Sequence, residues 1–370
     1  MQNSKKKKRV GIITFHFVNN FGGALQAYAL RRTIDERCDA DAEIIDYRIW
    51  FIRLTDRIRL LPITTNLKEI ISGFKTMGQR INRRTKFGVF TRHNSKITRK
   101  YSNHWQLNNN PPCDEKFVCG SDQIWNPILT FGVSPSYYLQ FEKNPENKIA
   151  YAPSFGTNEI KKRHKKTITN NLNNIKYLSV REQSGKELIK DLTGKDVPRL
   201  IDPTFLLDKE EWSSIGMNPL NSNEPYILLY IMQRDMAVYE YARRIKEEKG
   251  IKLIEISRYG YNPGFVDETL VSVGPDEFLG LFRDAAYVCT NSYHGLAYSI
   301  IFEKDFCIIP CKRFTARINN MVDLLQIKNV AENDDIHALF AKYDKDYVRE
   351  VIKQEKEKSI TFLRTSLGIE

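Results

Sequence analysis

The sequence predicts an α/β protein built from two Rossmann-like domains that face each other across a cleft. A chain of 370 residues is too long for one compact core and suits two domains of ordinary size. Apolar strands alternate with helical patterns twice along the chain. Such alternation favours parallel sheets, so each run predicts one sheet with helices packed on it.

The first alternation opens with the strand RVGIITF, a loop that contains glycine, and a helix in which Leu25, Tyr28, Ala29 and Arg32 recur at helical spacing. The segment AEIIDY at 42–47 is the second strand. Further strands are predicted at 116–121, 148–154 and 176–180, with a helix over 160–173. We assign residues 1–200 to this domain.

The second alternation follows VPRLIDPTFLL, which contains two prolines and is typical of a connection between halves. Its predicted elements are a strand at 226–231, a helix over 236–249, a strand at 251–257, a helix over 275–284, the strand YVCT, a helix that carries His294, and the strand FCIIP. We assign residues 201–345 to this domain. The charged helix at 346–370 is expected to pack back on the first domain.

A basic, helical insertion interrupts the first domain at about 50–110. Residues 53–100 contain 13 Lys or Arg against two acidic residues, a net charge of +11 in a chain whose total is +12. Such a segment suits a polyanion, an anionic membrane surface or a phosphate-bearing substrate, and its Phe74, Phe87 and Phe90 could enter a membrane interface. The alternative is a solvated insertion.

Other classes of protein are not indicated. No apolar run reaches the roughly 18 to 20 residues of a bilayer span, and the start of the chain is typical of a first strand rather than a signal peptide, so a cytoplasmic protein is expected. The six cysteines lack the paired spacing of a zinc site, and there is no histidine cluster. No metal is therefore expected.

Two polar segments follow strands of the first domain. VNNFGGALQ at 18–26 places glycines before a helix, where backbone N–H groups can approach a ligand, although a tight turn without a ligand is equally consistent. FVCGSDQIWNP offers donors, acceptors and an indole ring to a sugar, unless its polar residues only cap a helix. Asp122 is the candidate base, and the candidate acceptor-binding residues are Asn20, Gly22, Gly23, Gln26, Ser121, Gln123 and Trp125.

Cations and one histidine follow other strands. Arg181 stands at a strand end, where it can bind a carboxylate or phosphate, or instead pair with Glu182 or Glu187. His294 lies in the first turn of a helix, where an anion and a proton-exchanging imidazole would meet. The residues expected to accompany it are Asn291, Ser292, Lys312, Arg313 and Arg317. This set predicts a site for a small, multiply charged anion such as phosphoenolpyruvate or a nucleotide sugar.

The segments NNFGGALQAYAL, VCGSDQIWNP, YAPSFG, SVREQSG, DPTFLL and TNSYHGLAYSI, in this order, resemble the polysaccharide pyruvyl transferase family over residues 10–317. The resemblance implies a two-domain GT-B fold and transfer of a group from phosphoenolpyruvate to two sugar hydroxyls as a ketal, without a further cofactor. Arg181, His294, and Lys312 or Arg313 match the family's site residues. Many relatives carry an arginine-leucine pair directly before the histidine, where this chain has Ser292 and Tyr293, so Arg313 or Arg317 is expected to hold the phosphate instead.

These implications define the expected function. The second domain would bind phosphoenolpyruvate, with His294 as general acid, and the first would bind the acceptor. The acceptor would be a capsule, exopolysaccharide or cell-wall precursor, linked to polyprenyl diphosphate at the inner membrane face; nucleic acid is not an expected partner. A GT-B glycosyltransferase that uses a nucleotide sugar is the alternative, and an inactive carbohydrate or polyanion binder is a third interpretation.

Overall fold

The computed structural model describes residues 7–49, 67–220, 223–232, 235–309, 315–328, 340–341 and 343–369. The chain divides into two compact units. Unit 1 contains Met1–Thr55, Thr91–Leu207 and Lys353–Glu370, and unit 2 contains Asp56–Phe90 and Asp208–Ile352.

The secondary structure alternates between strands and helices. The strands are β1 Arg9–Ile13, β2 Asp41–Tyr47, β3 Ile97–Tyr101, β4 Lys116–Cys119, β5 Lys148–Ala150, β6 Tyr177–Leu178, β7 Tyr226–Tyr230, β8 Lys252–Ile256, β9 Glu268–Leu270, β10 Tyr287–Thr290 and β11 Asp305–Ile308. The helices are α1 Phe21–Arg37, α2 Leu67–Lys75, α3 Met77–Asn94, α4 His104–Asn109, α5 Lys162–Asn173, α6 Gln183–Thr193, α7 Lys209–Ile215, α8 Met236–Lys249, α9 Pro275–Asp284, α10 Tyr293–Ile301, α11 Thr315–Leu324 and α12 Lys345–Leu367.

Unit 1 is built on a six-stranded sheet in the order β3-β2-β1-β4-β5-β6. All its strand pairs are parallel, and the order is that of a Rossmann sheet. The chain first builds outward from one side of β1 and then returns to the other side with β4. The carboxyl ends of β1 and β4 therefore form the switch point at which such sheets bind ligands.

Unit 2 repeats this plan with a five-stranded sheet in the order β11-β10-β7-β8-β9. Its strand pairs are also parallel. Strand β7 is buried along its whole length, as expected for a central strand covered on both faces. Its switch point lies at the carboxyl ends of β7 and β10.

Local sequence signals explain the helices of unit 2. The side chain of Asp235 accepts a hydrogen bond from the backbone N–H of Ala237 and begins α8, which ends at Gly250 in the left-handed conformation. Pro275 occupies the first turn of α9, where its missing N–H costs nothing. The predicted bounds of both helices are confirmed.

The α/β class with two parallel sheets is confirmed, but the assignment of segments to units differs from the expected one. The described residues 67–90 of the basic insertion group with unit 2 rather than with the amino-terminal unit. The described part of α12 from Lys353 onward groups with unit 1, where Ser359 accepts a hydrogen bond from the backbone N–H of Ile201. The first part of the insertion, residues 50–66, lies outside the described residues.

The insertion also contains a strand that the sequence pattern did not predict. Strand β3 pairs with β2 at the edge of the first sheet. Across the described ranges, no helix combines the length and apolar character that crossing a bilayer requires.

Candidate active site

The switch point of unit 1 begins with the turn between β1 and α1. Asn20 caps α1, because its side-chain oxygen accepts a hydrogen bond of 3.0 Å from the N–H of Gly22. A Cβ atom on Gly23 would lie 2.9 Å from the carbonyl oxygen of Phe15 and 3.7 Å from Asp122 Oδ2. Only glycine therefore allows the helix to begin this close to the backbone after β1, while Asp122 lies at an ordinary contact distance.

Gln26 and Ser121 form an internal brace rather than a sugar-binding surface. Both side chains are fully buried. Gln26 donates to the Thr14 hydroxyl and accepts from the N–H of Ser121, while the Ser121 hydroxyl donates to the carbonyl of Ala152. The prediction that these two residues contact the acceptor is wrong, because their hydrogen-bonding groups are used within the unit.

Trp125 is likewise a core residue. It is 1% exposed, its Nε1 donates to the carbonyl of Tyr137 at 2.9 Å, and its ring stacks on Tyr138 with an interplanar angle of 2°. A ring enclosed in this way cannot offer a face to a sugar, so its predicted role in acceptor binding is wrong. Gln123 is also buried and accepts from Asn126 Nδ2 at 2.9 Å.

The loop after β4 presents Asp122 in an uncommon backbone conformation. Its φ is 68°, in the left-handed region that non-glycine residues rarely adopt. The preceding Gly120 has a φ of 124°, and a Cβ there would lie 2.0 Å from the carbonyl oxygen of Tyr151. The loop is thus fixed against the chain after β5, and it holds Asp122 beside the start of α1.

Arg181 lies among carboxylates. Its Nη1 is 2.5 Å from Asp202 Oδ2, and the carboxylates of Asp122 and Glu182 lie 3.9 Å from its other nitrogens. Asp202 also accepts hydrogen bonds from the N–H and hydroxyl of Thr204. Arg181 is therefore buried and held in a charge network, rather than paired with Glu182 on the surface as one alternative expected. Its role in binding the donor stays a prediction.

Glu182 and His16 follow other strands of the unit 1 sheet and were not predicted as site residues. Glu182 accepts from the Ser154 hydroxyl at 2.8 Å and from the N–H of Phe155 at 3.0 Å, so it joins the YAPSFG and SVRE segments. His16, three residues after the end of β1, lies 3.0 Å from the Asp46 carboxylate and 3.2 Å from the carbonyl of Thr14. Their position after buried strands is the signal that could have identified them.

The Asp46 carboxylate is shared between two basic side chains. Arg48 Nε also lies 2.5 Å from its Oδ1. Burial would raise the pKa of this carboxyl, but its hydrogen bonds with His16 and Arg48 outweigh that effect and lower the pKa. Asp46 is therefore a fixed negative charge that holds the imidazole of His16 at the edge of the sheet.

The switch point of unit 2 is formed by the ends of β7 and β10. The Thr290 hydroxyl donates to the carbonyl of Tyr230 at 2.6 Å, and the Asn291 side chain accepts from the N–H of Met232 at 2.8 Å. Asn291 thus ties the two strand ends together. A Cβ on Gly295 would lie 2.2 Å from the Thr290 hydroxyl, so glycine allows α10 to begin directly against β10.

His294 occupies the first turn of α10 at this switch point, as predicted. It is 7% exposed, and its ring meets the ring of Tyr293 edge to face at 5.1 Å. The guanidinium of Arg317 lies 5.6 Å from the centre of the Tyr293 ring. The structure therefore brings Asn291, Ser292, His294 and Arg317 into one region, with α10 directing its amino terminus toward it.

Lys312 and Arg313, the other predicted donor-binding residues, lie outside the described residues. Within the described part of the chain, no group of three or more His, Cys, Asp or Glu side chains is placed to hold a metal ion.

Solved structures of similar architecture include Arabidopsis thaliana UGT89C1 complexed with UDP-L-rhamnose, at 12% identity, with 98% of this chain and 94% of that chain covered and a TM-score of 0.46. The UDP-GlcNAc 2-epimerase of Methanocaldococcus jannaschii shows 10% identity, coverage of 94% and 92%, and a TM-score of 0.45. The ADP-heptose lps heptosyltransferase II of E. coli shows 11% identity, coverage of 94% and 99%, and a TM-score of 0.39. TM-scores this low carry no argument about the activity of this chain.

No curated protein matches the sequence significantly. The profile of the polysaccharide pyruvyl transferase family, in contrast, matches residues 20–313. This range begins at the cap of α1, contains both switch points and covers most of the chain. The chain therefore belongs to the polysaccharide pyruvyl transferase family.

Proposed function

We propose that this protein transfers a pyruvyl group from phosphoenolpyruvate to a saccharide, where it forms a cyclic ketal. The observation that carries this proposal is His294 in the first turn of α10, at the switch point of unit 2, in a chain whose family transfers pyruvyl groups. That position offers an imidazole and a helix amino terminus to a substrate that needs both a proton and a partner for its phosphate.

Unit 2 is assigned the donor. Ser292 and Asn291 precede α10, whose first N–H groups can receive a phosphate or carboxylate oxygen. Arg317 adds a positive charge on the Tyr293 ring. These groups can bind the phosphate and the carboxylate of phosphoenolpyruvate. His294 is then assigned to protonate the methylene carbon.

Unit 1 is assigned the acceptor. Asp122 is the one candidate of the FVCGSDQIWNP segment that combines an ionisable side chain with a place beside the start of α1. Its carboxylate is suited to accept a hydrogen bond from a sugar hydroxyl and then its proton. Asn20, Gly22 and Gly23 at the start of α1 are assigned to the same sugar.

The proposed chemistry has four steps. His294 donates a proton to the methylene carbon of phosphoenolpyruvate, which becomes a methyl group and leaves C2 electrophilic. A first sugar hydroxyl adds to C2 and loses its proton to a base, for which Asp122 is assigned. The bond between C2 and the phosphate oxygen then breaks and inorganic phosphate leaves with the bonding electrons. A second hydroxyl adds to C2, loses its proton and closes the ketal.

We further propose that the acceptor is a precursor of a bacterial surface polysaccharide, such as a capsule or exopolysaccharide, carried on polyprenyl diphosphate at the inner face of the membrane. The support is an apolar face on the insertion: Leu67, Ile71 and Phe74 recur at helical spacing on α2 and are 48–69% exposed. Basic residues surround this face in the sequence, as in helices that lie on anionic lipid.

Other residues of the insertion are not available to a membrane. Phe87 and Phe90, which were expected to enter the interface, are each 4% exposed, so that part of the prediction is wrong. Arg80 is also buried, and Lys86 forms an ion pair with Glu277 within unit 2. The membrane-facing part of the insertion is therefore assigned to α2.

The test uses the purified full chain with phosphoenolpyruvate and a panel of free and polyprenyl diphosphate-linked saccharides. Release of inorganic phosphate that depends on a saccharide, together with the mass increment of a pyruvate ketal on that saccharide, is the expected result. His294→Gln should lower the rate by about 10²- to 10⁴-fold, since it removes the general acid. Parallel reactions with uridine and guanosine diphosphate sugars test the glycosyltransferase alternative, and turnover in those reactions alone would replace the proposal.

A further inference from the structure

Two loops meet at the switch point of unit 1, and backbone hydrogen bonds join them. The N–H of Ser154, in the loop after β5, donates to the carbonyl of Asp122 at 2.9 Å, and the carbonyl of Ser154 accepts from the N–H of Trp125 at 3.3 Å. A Cβ on Gly156 would lie 2.1 Å from Gln123 Oε1, so the loop after β5 also packs closely on the side chain next to Asp122. The position of Ser154 therefore constrains the position of Asp122.

Glu182, directly before α6, holds the loop after β5. Its Oε1 accepts from the Ser154 hydroxyl at 2.8 Å, from the N–H of Phe155 at 3.0 Å and from the N–H of Gly156 at 3.4 Å. Glu182 is 3% exposed. Hydrogen bonds to an ionised carboxylate are about twice as strong as those between neutral groups, and a buried setting strengthens them. A single oxygen of Glu182 thus fixes three consecutive residues of this loop.

The second carboxylate oxygen of Glu182 faces a different partner. Oε2 lies 3.9 Å from Arg181 Nε, beyond hydrogen-bond distance. Glu182 can therefore affect the site by two routes, either through the loop after β5 on Asp122 or through the guanidinium of Arg181, a predicted donor-binding residue. The distances of 2.8–3.4 Å to the loop favour the first route.

The Asp122 side chain shows which atom this arrangement directs. Its Oδ1 accepts from the N–H of Gln123 at 2.8 Å. Its Oδ2 would lie 3.7 Å from a Cβ on Gly23, so this oxygen is directed toward the start of α1, where the acceptor is assigned. Because the φ of Asp122 is 68°, this conformation persists only where the surrounding structure holds it. The hydrogen bond from Ser154 to the carbonyl of Asp122 supplies part of that support.

We propose that Glu182 is a positioning residue for the proposed reaction: it holds the loop after β5, which in turn holds Asp122 with Oδ2 toward a hydroxyl of the acceptor. Glu182 itself is buried and is assigned no contact with a substrate. This inference rests on the proposed function for the role of Asp122 as a base. It also gives the YAPSFG and SVRE segments one shared task, because the serine of the first and the glutamate of the second form the link.

The test compares Glu182→Met with Glu182→Gln and with the matched control Glu187→Met. Methionine fills a similar space without a carboxylate, whereas the amide oxygen of glutamine still accepts from the loop. Glu187 is exposed on α6 and accepts from the Gln183 side chain at 3.1 Å. Glu182→Met should lower kcat for ketal formation by about 10- to 100-fold, since a misplacement of about 1 Å costs up to about 10²-fold, and should leave the KM for phosphoenolpyruvate unchanged. Glu182→Gln should recover most of this loss, and Glu187→Met should behave as the unchanged protein does.

Amide hydrogen exchange of the full chain follows the same link without turnover. Peptides that cover residues 120–127 and 153–157 should exchange faster in Glu182→Met than in the unchanged protein, and Glu187→Met should leave them unchanged. Calorimetric titration with phosphoenolpyruvate gives the fraction of molecules that bind the donor, so that kcat is expressed per binding-competent molecule and a folding defect is not counted as a loss of positioning. If thermal melting shows that Glu182→Met does not fold, Ser154→Ala takes its place, because it removes the hydroxyl at 2.8 Å and leaves the two backbone donors; the same changes at smaller size are then expected.

The outcomes separate this inference from the proposed function. If the unchanged protein forms the ketal and Glu182→Met keeps its kcat, or raises only the KM for phosphoenolpyruvate, the inference is wrong and the proposed function stands. If no saccharide receives a pyruvyl group but Glu182→Met speeds exchange in the two loops and Glu187→Met does not, the link between Glu182 and the Asp122 loop stands and the proposed function fails. Equal effects of Glu182→Met and Glu187→Met, or unchanged exchange in both, would overturn the inference.

Discussion

Replacing Arg181 should destabilise unit 1 strongly, because its partner is buried. The Arg181 side chain is 4% exposed and that of Asp202 is 0% exposed, with 2.5 Å between them. Removal of one member of a buried ion pair costs about 3–5 kcal/mol, since the other charge stays in a region of low dielectric. Arg181→Met also removes the cation that faces Asp122 and Glu182 at 3.9 Å. We therefore expect Arg181→Met to lower the unfolding free energy of unit 1 by an amount of this size.

The complementary change is milder. Asp202→Asn keeps an oxygen that can accept from the N–H and hydroxyl of Thr204, and it leaves Asp122 and Glu182 to balance the guanidinium. We expect a loss of about 1–3 kcal/mol from the weakened hydrogen bond of a charged group. The double variant should lose less than the sum of the two single changes, because neither charge is then left without its partner.

Amide hydrogen exchange of peptides that contain β5 and β6 is the assay, since a two-unit chain need not unfold in one step. Arg243→Met is the control: this arginine pairs with Glu240 and Glu247 on the surface of α8 in unit 2. It should leave the exchange of β5 and β6 unchanged. If Arg181→Met changed that exchange no more than the control does, or if the single effects added in the double variant, the buried network would not stabilise unit 1 as described.

Three further predictions concern pH, lipid and backbone conformation. Burial, followed by the nearby Glu43 carboxylate, raises the pKa of Asp114 from 3.8 to about 7, so the folded state binds its proton more tightly than the unfolded chain and stability falls as the pH rises from about 4 to 7. Asp114→Asn should remove this fall and raise the unfolding free energy at pH 8 by about 2–4 kcal/mol. Thermal melts in which the stability difference between this variant and the unchanged protein stays constant from pH 4 to 8 would contradict this. The double variant Ile71→Ser, Phe74→Ser should weaken the salt-sensitive sedimentation of the protein with anionic vesicles. The control is Ile128→Ser, because Ile128 is 70% exposed in unit 1, and this variant should sediment as the unchanged protein does. Equal vesicle binding by all three proteins would show that α2 does not contact the membrane. Gly120→Ala should lower the melting temperature of unit 1, because its Cβ would meet the carbonyl of Tyr151 at 2.0 Å, and an unchanged melting curve would refute this reading of the loop.

Hydrophobic periodicity predicted most of the fold because the central strands are continuous apolar runs and the helices carry their own start and stop signals. The structure confirms α8 and α9 to the residue for this reason. Strand β3 was missed because it lies at the edge of the sheet, half exposed, and its sequence ITRKY carries no apolar alternation. Edge pairing depends on a neighbouring strand that is distant in the sequence.

The sequence predicted where Asp122 and His294 lie in the fold, and their roles stay predictions. Strand ends located Asp122 and His294, because switch points follow from the order of the strands. The same polar segments also contain Gln26, Ser121 and Trp125, whose roles in the interior depend on partners from other elements. A local pattern cannot distinguish a polar group that faces a ligand from one that braces the loop behind it.

The net charge of the insertion likewise did not predict where its individual side chains lie. Its net charge of +11 suggested one basic surface, yet Arg80 lies on Tyr259, Lys86 pairs with Glu277, and Phe74 is exposed on α2. Sequence position did not reveal that the described residues 67–90 group with unit 2, since chain order alone does not determine which sheet an insertion packs against.

The most direct test of the central claim determines whether the ketal methyl group receives a proton from an exchangeable group of the protein. The purified chain is supplied with phosphoenolpyruvate and a competent saccharide in D₂O, and the ketal is examined by mass spectrometry and NMR. Protonation of the methylene carbon by a solvent-exchanged imidazole predicts a ketal methyl group that carries one deuterium, formed together with inorganic phosphate and lost in His294→Gln. A ketal methyl group without deuterium, or a saccharide that gains a sugar from a nucleotide donor and no pyruvyl group from phosphoenolpyruvate, would contradict the account.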